Sequence, residues 1–459
     1  MKPPPGLPRW ERLTLHSSSE PPKRAYTNRK PAYTAFVSAR PHTHAPSEVP
    51  IPTQVKKNTW LLAITQAING AGMQLVPTFG AIQVVMLLGN ATFAGLATSL
   101  MGLARVMTSY FVGEMTDRRG RKAGLYLGLW LAMVGALLIG TATLWGSLAL
   151  FCVGALVFGS GVGAVQQMRV AAADMYPSSR RAEGLSLVAM GSLLGAFASP
   201  VLVFVAERLG LALGLNQIAL AWLLVPLLIL PGFWLVRSIR PDPKQMALEL
   251  GRYYPASALS GNPQAFENIE KADLARVRVA AILSAVTVQG QMVMMMAMTA
   301  LALKALDCSL SQISFSVALH VMGMFAFSWP IGRLADRLGR KPVILAGLAV
   351  AGLGALLVGM GQGYWVITAG TFLVGLGWSG AFLSANTMLA DVTPATRRGQ
   401  AIGVLELWSN AAGMSLPILG GLVVEGFDLR TLGFVGALLV LVPLYQVLRV
   451  QEPKPGDYR

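Results

Sequence analysis

The sequence predicts an all-α integral membrane protein, with about twelve transmembrane helices in two pseudo-symmetric six-helix bundles. Three observations carry this. Of the 459 residues, 54% are hydrophobic and only 13% charged, with mean hydropathy +0.56; a soluble protein carries about 25% charge. The apolar residues gather into runs near the roughly 20 residues that span a bilayer. A charged signature then occurs once in each half: Gly113-Glu-Met-Thr-Asp117-Arg118-Arg119-Gly120-Arg121-Lys122, and Gly332-Arg-Leu-Ala-Asp336-Arg337-Leu338-Gly339-Arg340-Lys341. From Asp117 to Asp336 the offset is 219 residues, close to half the chain. Such a repeat between membrane-length segments indicates a duplicated transport protein.

Taken in order, the first half holds Thr59–Leu88, Ala91–Met115, Ala123–Leu144, Ser147–Ala173, Ala182–Ala206 and Gln217–Val236. The first is apolar but for amides and hydroxyls, and the second runs into the signature. The third is nearly pure hydrocarbon with glycine. The fourth ends at Asp174-Met-Tyr-Pro177-Ser-Ser-Arg180-Arg181, the fifth carries Pro200, and the sixth is again almost free of polar groups. A second set follows the same order: Val277–Lys304, Gln312–Leu334, Pro342–Met360, Trp365–Leu389, Gly399–Val424 and Thr431–Leu448. Asp391-Val-Thr-Pro394-Ala-Thr-Arg397-Arg398 ends the tenth segment and Pro417 lies in the eleventh. Both repeat their first-half counterparts at an offset of 217. Every third segment therefore reads as lipid-facing scaffold, and the others hold the polar groups.

The expected boundaries are a disordered tail over 1–57, a first bundle over 58–237, a loop over 238–275, a second bundle over 276–449 and a tail over 450–459. The first tail is rich in Pro, Ser, Arg and His, has few acids and shows no periodicity. It lacks the apolar core of a secretory signal.

A net charge of +16 first suggests nucleic acid. Its distribution argues against that. The clusters at Arg118–Lys122, Arg180-Arg181, Arg237–Arg252, Arg276/Arg278, Arg333–Lys341 and Arg397-Arg398 all fall on one side if the segments alternate. The opposite connections hold Arg208, Lys304 and Arg430. This is the positive-inside bias. It predicts a multi-pass protein of the plasma (inner) membrane with both termini and both signatures in the cytoplasm. Lipid is the expected partner of the basic face, nucleic acid is not, and a monomer is expected.

On these motifs the chain resembles the major facilitator superfamily, over nearly everything after about residue 58. Its nearest branch is the twelve-helix drug or metabolite–proton antiporters. G-x-x-x-D-R-x-G-R-K is that family's signature between helices 2 and 3 and between 8 and 9. The resemblance implies alternating access around one central site, lined by helices 1, 4, 7 and 10. It also implies gating roles for Gly113, Asp117, Arg118, Gly120, Arg121 and Lys122, and for Gly332, Asp336, Arg337, Gly339, Arg340 and Lys341. Asp117 and Asp336 would meet helix N-termini across the interface. Arg121 and Arg340 would pair with Asp174 and Asp391. The chain departs from the antiporter pattern at Val157, where those proteins place an Arg before a G-x-G (here Gly161-Val-Gly163). It departs again in helix 5, which reads Gly191-Ser-Leu-Leu-Gly195-Ala196.

Charged groups inside a membrane are costly and mark pathways. Glu406 is the carboxylate set well inside a segment, roughly 12 Å from its charged end at 1.5 Å per residue. It is the candidate proton carrier, with Arg105, twelve residues before Asp117, as its expected partner. A static Glu406–Arg105 latch is the alternative. His320 is a candidate relay member, and Arg169, near the mouth, a candidate gate residue. Gln66, Asn69, Gln74, Gln166, Gln289, Gln291 and Asn386 are candidates for the substrate cavity, or for gluing helices together.

No G-x-x-x-x-G-K-[ST] is present, so an ATP-driven pump is not expected. Neither metal-ligand spacing nor a Ser–His–Asp set occurs, and no cofactor is expected. The reading is a secondary transporter of a small organic solute, not an enzyme, with proton-coupled efflux as its first form. A facilitator or importer of a metabolite is the second form. A sensor or scaffold on the same fold is the reading from another class.

Overall fold

The computed structural model describes residues 50–177, 181–255, 271–393 and 398–451, except for the side chains at 109–110, 117, 167, 181–182, 186, 271–273, 336 and 398–399. The N-terminal tail before residue 50, part of the central loop and the last residues of the C-terminal tail lie outside the described residues.

Twelve long rods, with the short helices Pro243–Leu248 and Leu250–Tyr253 after the sixth, make up the helices of the described residues. They are α1 Thr53–Leu88, α2 Leu96–Arg119, α3 Arg121–Trp145, α4 Leu148–Asp174, α5 Arg181–Leu213 and α6 Gln217–Ser238. The second set is α7 Lys271–Ala305, α8 in two pieces, Leu310–Phe325 and Ser328–Leu338, α9 Arg340–Met360, α10 Tyr364–Asp391, α11 Arg398–Gly426 and α12 Leu429–Arg449. Among the described residues, 11 helices are long and apolar enough to cross a bilayer. Long enough too, α2 carries Arg105 at mid-length and acids and bases at its signature end, which lowers its hydropathy. Helices suit hydrocarbon because each backbone bond closes within its own segment.

Proline sets the breaks. α1 is interrupted at Gln74, three residues before Pro77. α8 breaks at Ala326 and Phe327, just before Pro330. α12 breaks at Val440, three residues before Pro443. A proline cannot donate to the carbonyl four residues back, so the ladder opens there. The break in α4, at Gln166, has no proline and follows a glycine-rich stretch.

Small residues let the helices approach. A Cβ on Gly161 of α4 would lie 2.3 Å from the nitrogen of Ala132 on α3, and one on Gly377 of α10 would lie 2.4 Å from the nitrogen of Ala351 on α9. The G-x-G at Gly161-Val-Gly163 is thus a packing face, with Gly163 against Arg105 of α2.

The two halves meet at the end away from the signatures. Gly95 before α2 sits against the backbone of Pro417 in α11, and Gly421 against the carbonyls of Ala91 and Thr92. The amide of Ala91 donates to Glu425 at 2.9 Å. Ser99 donates to the carbonyl of Met414. Ser199 of α5 and Ser314 of α8 lie 3.3 Å apart. Between α2 and α11 an apolar crevice of about 540 Å³ runs from Leu96 and Ser99 beside this seam to Val106 and Leu407. A Cβ on Gly113 or Gly332 would meet nothing within 4 Å.

Gly377→Ala should lower the unfolding temperature of the detergent-solubilised protein by the equivalent of about 1–3 kcal/mol of overpacking. Gly403→Ala, where a Cβ meets open space, should leave it unchanged or slightly raised. Thermal unfolding of the two variants side by side checks this.

Candidate functional site

Both signatures build the same joint. Gly120 and Gly339 turn the chain with φ of 95° and 99°, a region that costs glycine nothing and other residues strain. The next residue then reaches the end of a neighbouring helix. Arg121 Nε donates to Asp174 Oδ2 at 2.9 Å, and its Nη2 lies 2.8 Å from the same oxygen. Arg340 Nε donates to Asp391 Oδ2 at 3.2 Å. The lysines that follow do a second job. Lys122 Nζ donates to the carbonyls of Arg237 and Ile239, and Lys341 Nζ to those of Leu448 and Val450. Each ammonium therefore closes the C-terminal end of α6 or α12, where the helix dipole favours a cation. The side chains of Asp117 and Asp336 lie outside the described set. Arg118 pairs with Glu114 on the exposed face of α2, and Arg337 is exposed.

Asp242, which the sequence reading passed over, organises the first joint. Its carboxylate accepts from the amides of Arg121, Lys122 and Lys244 at 3.0, 3.1 and 2.9 Å. It caps α3 and the short helix Pro243–Leu248 together. Asn58 donates to the carbonyls of Arg240 and Pro241, and Tyr254 donates to that of Met175. The stretch after α6 is thereby tied to α1, α3 and α4. The D-P-K run at 242–244 was the available signal, since Asp before Pro opens a helix.

Deeper, the structure brings Arg169, not Arg105, into the field of Glu406. Arg169 on α4 and Glu406 on α11 interact electrostatically without forming an ion pair. Glu406 is exposed and Arg169 partly buried. Arg169 lies over the ring of Phe325 on α8, 5.9 Å from its centroid. Phe325 meets Trp378 edge-on at 5.9 Å, and Trp378 stacks on Phe382 at 4.9 Å. Trp378 Nε1 donates to Gln289 Oε1 at 2.7 Å. These aromatics were invisible in the sequence because an aromatic within an apolar helix carries no signal of which way it faces. Arg105 lies at mid-length in α2, its stem against Gly163.

The amides divide. Gln74 and Gln166 occupy the breaks of α1 and α4. Gln66 donates to Ser192 of α5 at 3.0 Å, beside Asn69, which is also buried. Asn386 donates to the carbonyl of Phe382 one turn back. Gln291 is a correction. It is fully buried and donates to the carbonyls of Ala351 on α9 and Gly436 on α12. It ties scaffold helices and points away from the cavity, because it lies two residues from Gln289, about 200° around the helix. His320 is fully buried, with Nδ1 2.7 Å from the carbonyl of Thr371 on α10. At the far end, Glu207, Lys304, Asp307 and Cys308 join apolar residues such as Ile82 and Leu301 around a cavity of about 690 Å³ between the halves.

Twelve helical rods in two like halves, with Arg169 and Glu406 within the membrane-length helices of opposite halves, define a polytopic membrane transporter. The sequence matches the Major Facilitator Superfamily over residues 62–277 and 279–458, and the chain belongs to that family. It is similar to an uncharacterized MFS-type transporter, YdeG, of Bacillus subtilis, at 27% identity over 84% of this chain and 90% of that one. It is 23% identical to the riboflavin transporter RfnT of Brucella anthropi, over 88% of this chain and 98% of that one. Among solved structures, a D-xylose-proton symporter superposes with a TM-score of 0.69 at 15% identity, covering 88% of this chain and 99% of that one; this likeness shows the fold. The family moves small molecules across membranes and its members here are not enzymes.

Asp242→Ala should cost about 1 kcal/mol through the lost caps, and Asp242→Asn much less, because Asn caps nearly as well. Denaturant or thermal unfolding of both variants measures the difference.

Proposed function

We propose that this protein is a proton-coupled exporter of a small organic solute that works by alternating access. The carrying observation is the placement of Arg169 and Glu406. They stand on opposite halves and feel each other's charge without touching. Gain or loss of a proton at Glu406 switches the attraction between the halves on or off, which is what coupling requires. The hydrogen-bonded seam between the halves at the far end supports a cycle in which that end closes and opens. Rocking closed at the other end would bring the signature segments together, where the Arg121–Asp174 and Arg340–Asp391 joints keep each half rigid.

The positive-inside bias supports a plasma (inner) membrane location with both termini cytoplasmic. On that orientation, the signature ends face the cytoplasm and the seam lies at the outer face, which supports loading from the cytoplasm for export. The solute carried by RfnT supports a small organic substrate, and the partly apolar walls support an amphipathic one. Gln74, Gln166 and Gln289 are its proposed hydrogen-bonding contacts, and His320 a buried tie between α8 and α10. A single chain holds the whole site, which supports a monomer.

Inverted vesicles carrying a preformed pH gradient test this with candidate solutes. The wild type should dissipate the gradient when its solute is added. Glu406→Gln should lose gradient-driven transport by a hundredfold or so, taking chemistry at one coupling carboxylate as the standard, yet keep solute counterflow. If Glu406→Gln still couples, Glu406 is structural and a facilitator is the better reading. Arg169→Lys should keep coupling with weakened binding, since the charge remains and the planar fork is lost. His320→Gln should keep coupling, read in the same assay.

A further inference from the structure

Arg169 of α4 and the rings of Phe325, Trp378 and Phe382 from α8 and α10 form a continuous row across the two halves, at successive distances of 5.9, 5.9 and 4.9 Å. The bond from its indole to Gln289 fixes Trp378 in place. Phe325 and Phe382 stay partly exposed, so the row offers ring surface to a visitor. A guanidinium laid over a ring keeps its N–H edge in its own plane, ready for a planar acceptor. The Nε of Arg169 is buried and has no hydrogen-bond partner. Glu406, in the field of the same guanidinium, supplies an acceptor whenever it is ionised.

Resting on the transport reading above, we propose that this site takes a planar aromatic heterocycle whose edge carries a carbonyl beside an N–H, as in a lactam or cyclic imide. The ring packs on the exposed parts of Phe325 and Phe382, which buried Trp378 backs. The carbonyl accepts from Arg169 and the N–H donates to Glu406. No bond is made or broken. A proton on Glu406 removes the negative charge that strengthens the bond from the N–H, so proton and solute weaken each other's hold, as exchange requires. The charged group whose field Glu406 feels is Arg169 from α4; α2, which packs beside α11, also carries Arg105 at mid-length. At this depth α7 and α10 bring Gln289 and Trp378.

The test titrates lumichrome, a fluorescent tricyclic imide, and its N-methylated imide onto the full chain in lipid nanodiscs, read by fluorescence anisotropy. Methylation should weaken binding to the wild type by about tenfold, the loss of one hydrogen bond to a charged group. That difference should shrink in Glu406→Gln, whose neutral amide oxygen still accepts, and vanish in Glu406→Leu. Phe382→Leu, a change at a partly exposed ring, should weaken both probes alike while keeping their ratio. Acidification should weaken lumichrome in the wild type and not in Glu406→Gln. Equal binding of the two probes to the wild type overturns the edge assignment. Competition by glutarimide, an imide with no aromatic ring, at the same concentration as lumichrome overturns the ring assignment. Coupled transport of an unrelated solute with no lumichrome binding overturns the substrate class and leaves the transport reading standing. Edge-selective binding with no flux of any solute supports the ligand class and overturns the transport reading.

Discussion

An unpartnered polar group in hydrocarbon costs several kcal/mol, and the layout of this chain follows from avoiding that cost. Backbone groups are satisfied inside helices. Charges are pushed to helix ends, where Lys122 and Lys341 meet carbonyls that would otherwise lack donors. The charges that remain inside, Arg105, Arg169 and Glu406, belong to α2, α4 and α11, none of them among the scaffold helices α3, α6, α9 and α12. Arg169 and Glu406 stand on opposite halves, so the cost is accepted at the boundary a transporter must work.

Rigidity and mobility divide along the same line. Within each half, an arginine–carboxylate joint and a lysine cap lock the loop between consecutive helices to the ends of two others. Between halves, the far seam sets glycines against backbone and adds hydrogen bonds at Ser99, Ser199 and Glu425, all small or peripheral groups. An interface with little interdigitation separates with little repacking, which suits a bistable contact.

Much of the fold was legible because its signals are local. The doubled signature, the apolar runs and the offsets of 219 and 217 can be read without knowing how any helix is rotated. The site was less legible because it depends on rotation and pairing. Gln289 and Gln291 are alike in sequence, yet one holds Trp378 and the other ties α9 to α12. Pairing Glu406 with Arg105 rested on depth and on the expectation that α2 and α11 meet. They do meet, but toward the far end, and Arg169 of α4 is the cation whose field Glu406 feels. Asp242 was missed because it acts on backbone amides, which no residue pattern in α3 announces.

The proline breaks carry one more implication. Pro77 and Pro330 each deprive the carbonyl four residues back, on Met73 and on Ala326, of its usual donor. Main-chain acceptors are thereby placed partway along α1 and α8, in rods that otherwise present only side chains. Such acceptors are the same whatever residue stands at 73 or 326. Drift in the side chains can retune what the walls prefer, while this part of their polarity persists as long as the two prolines do.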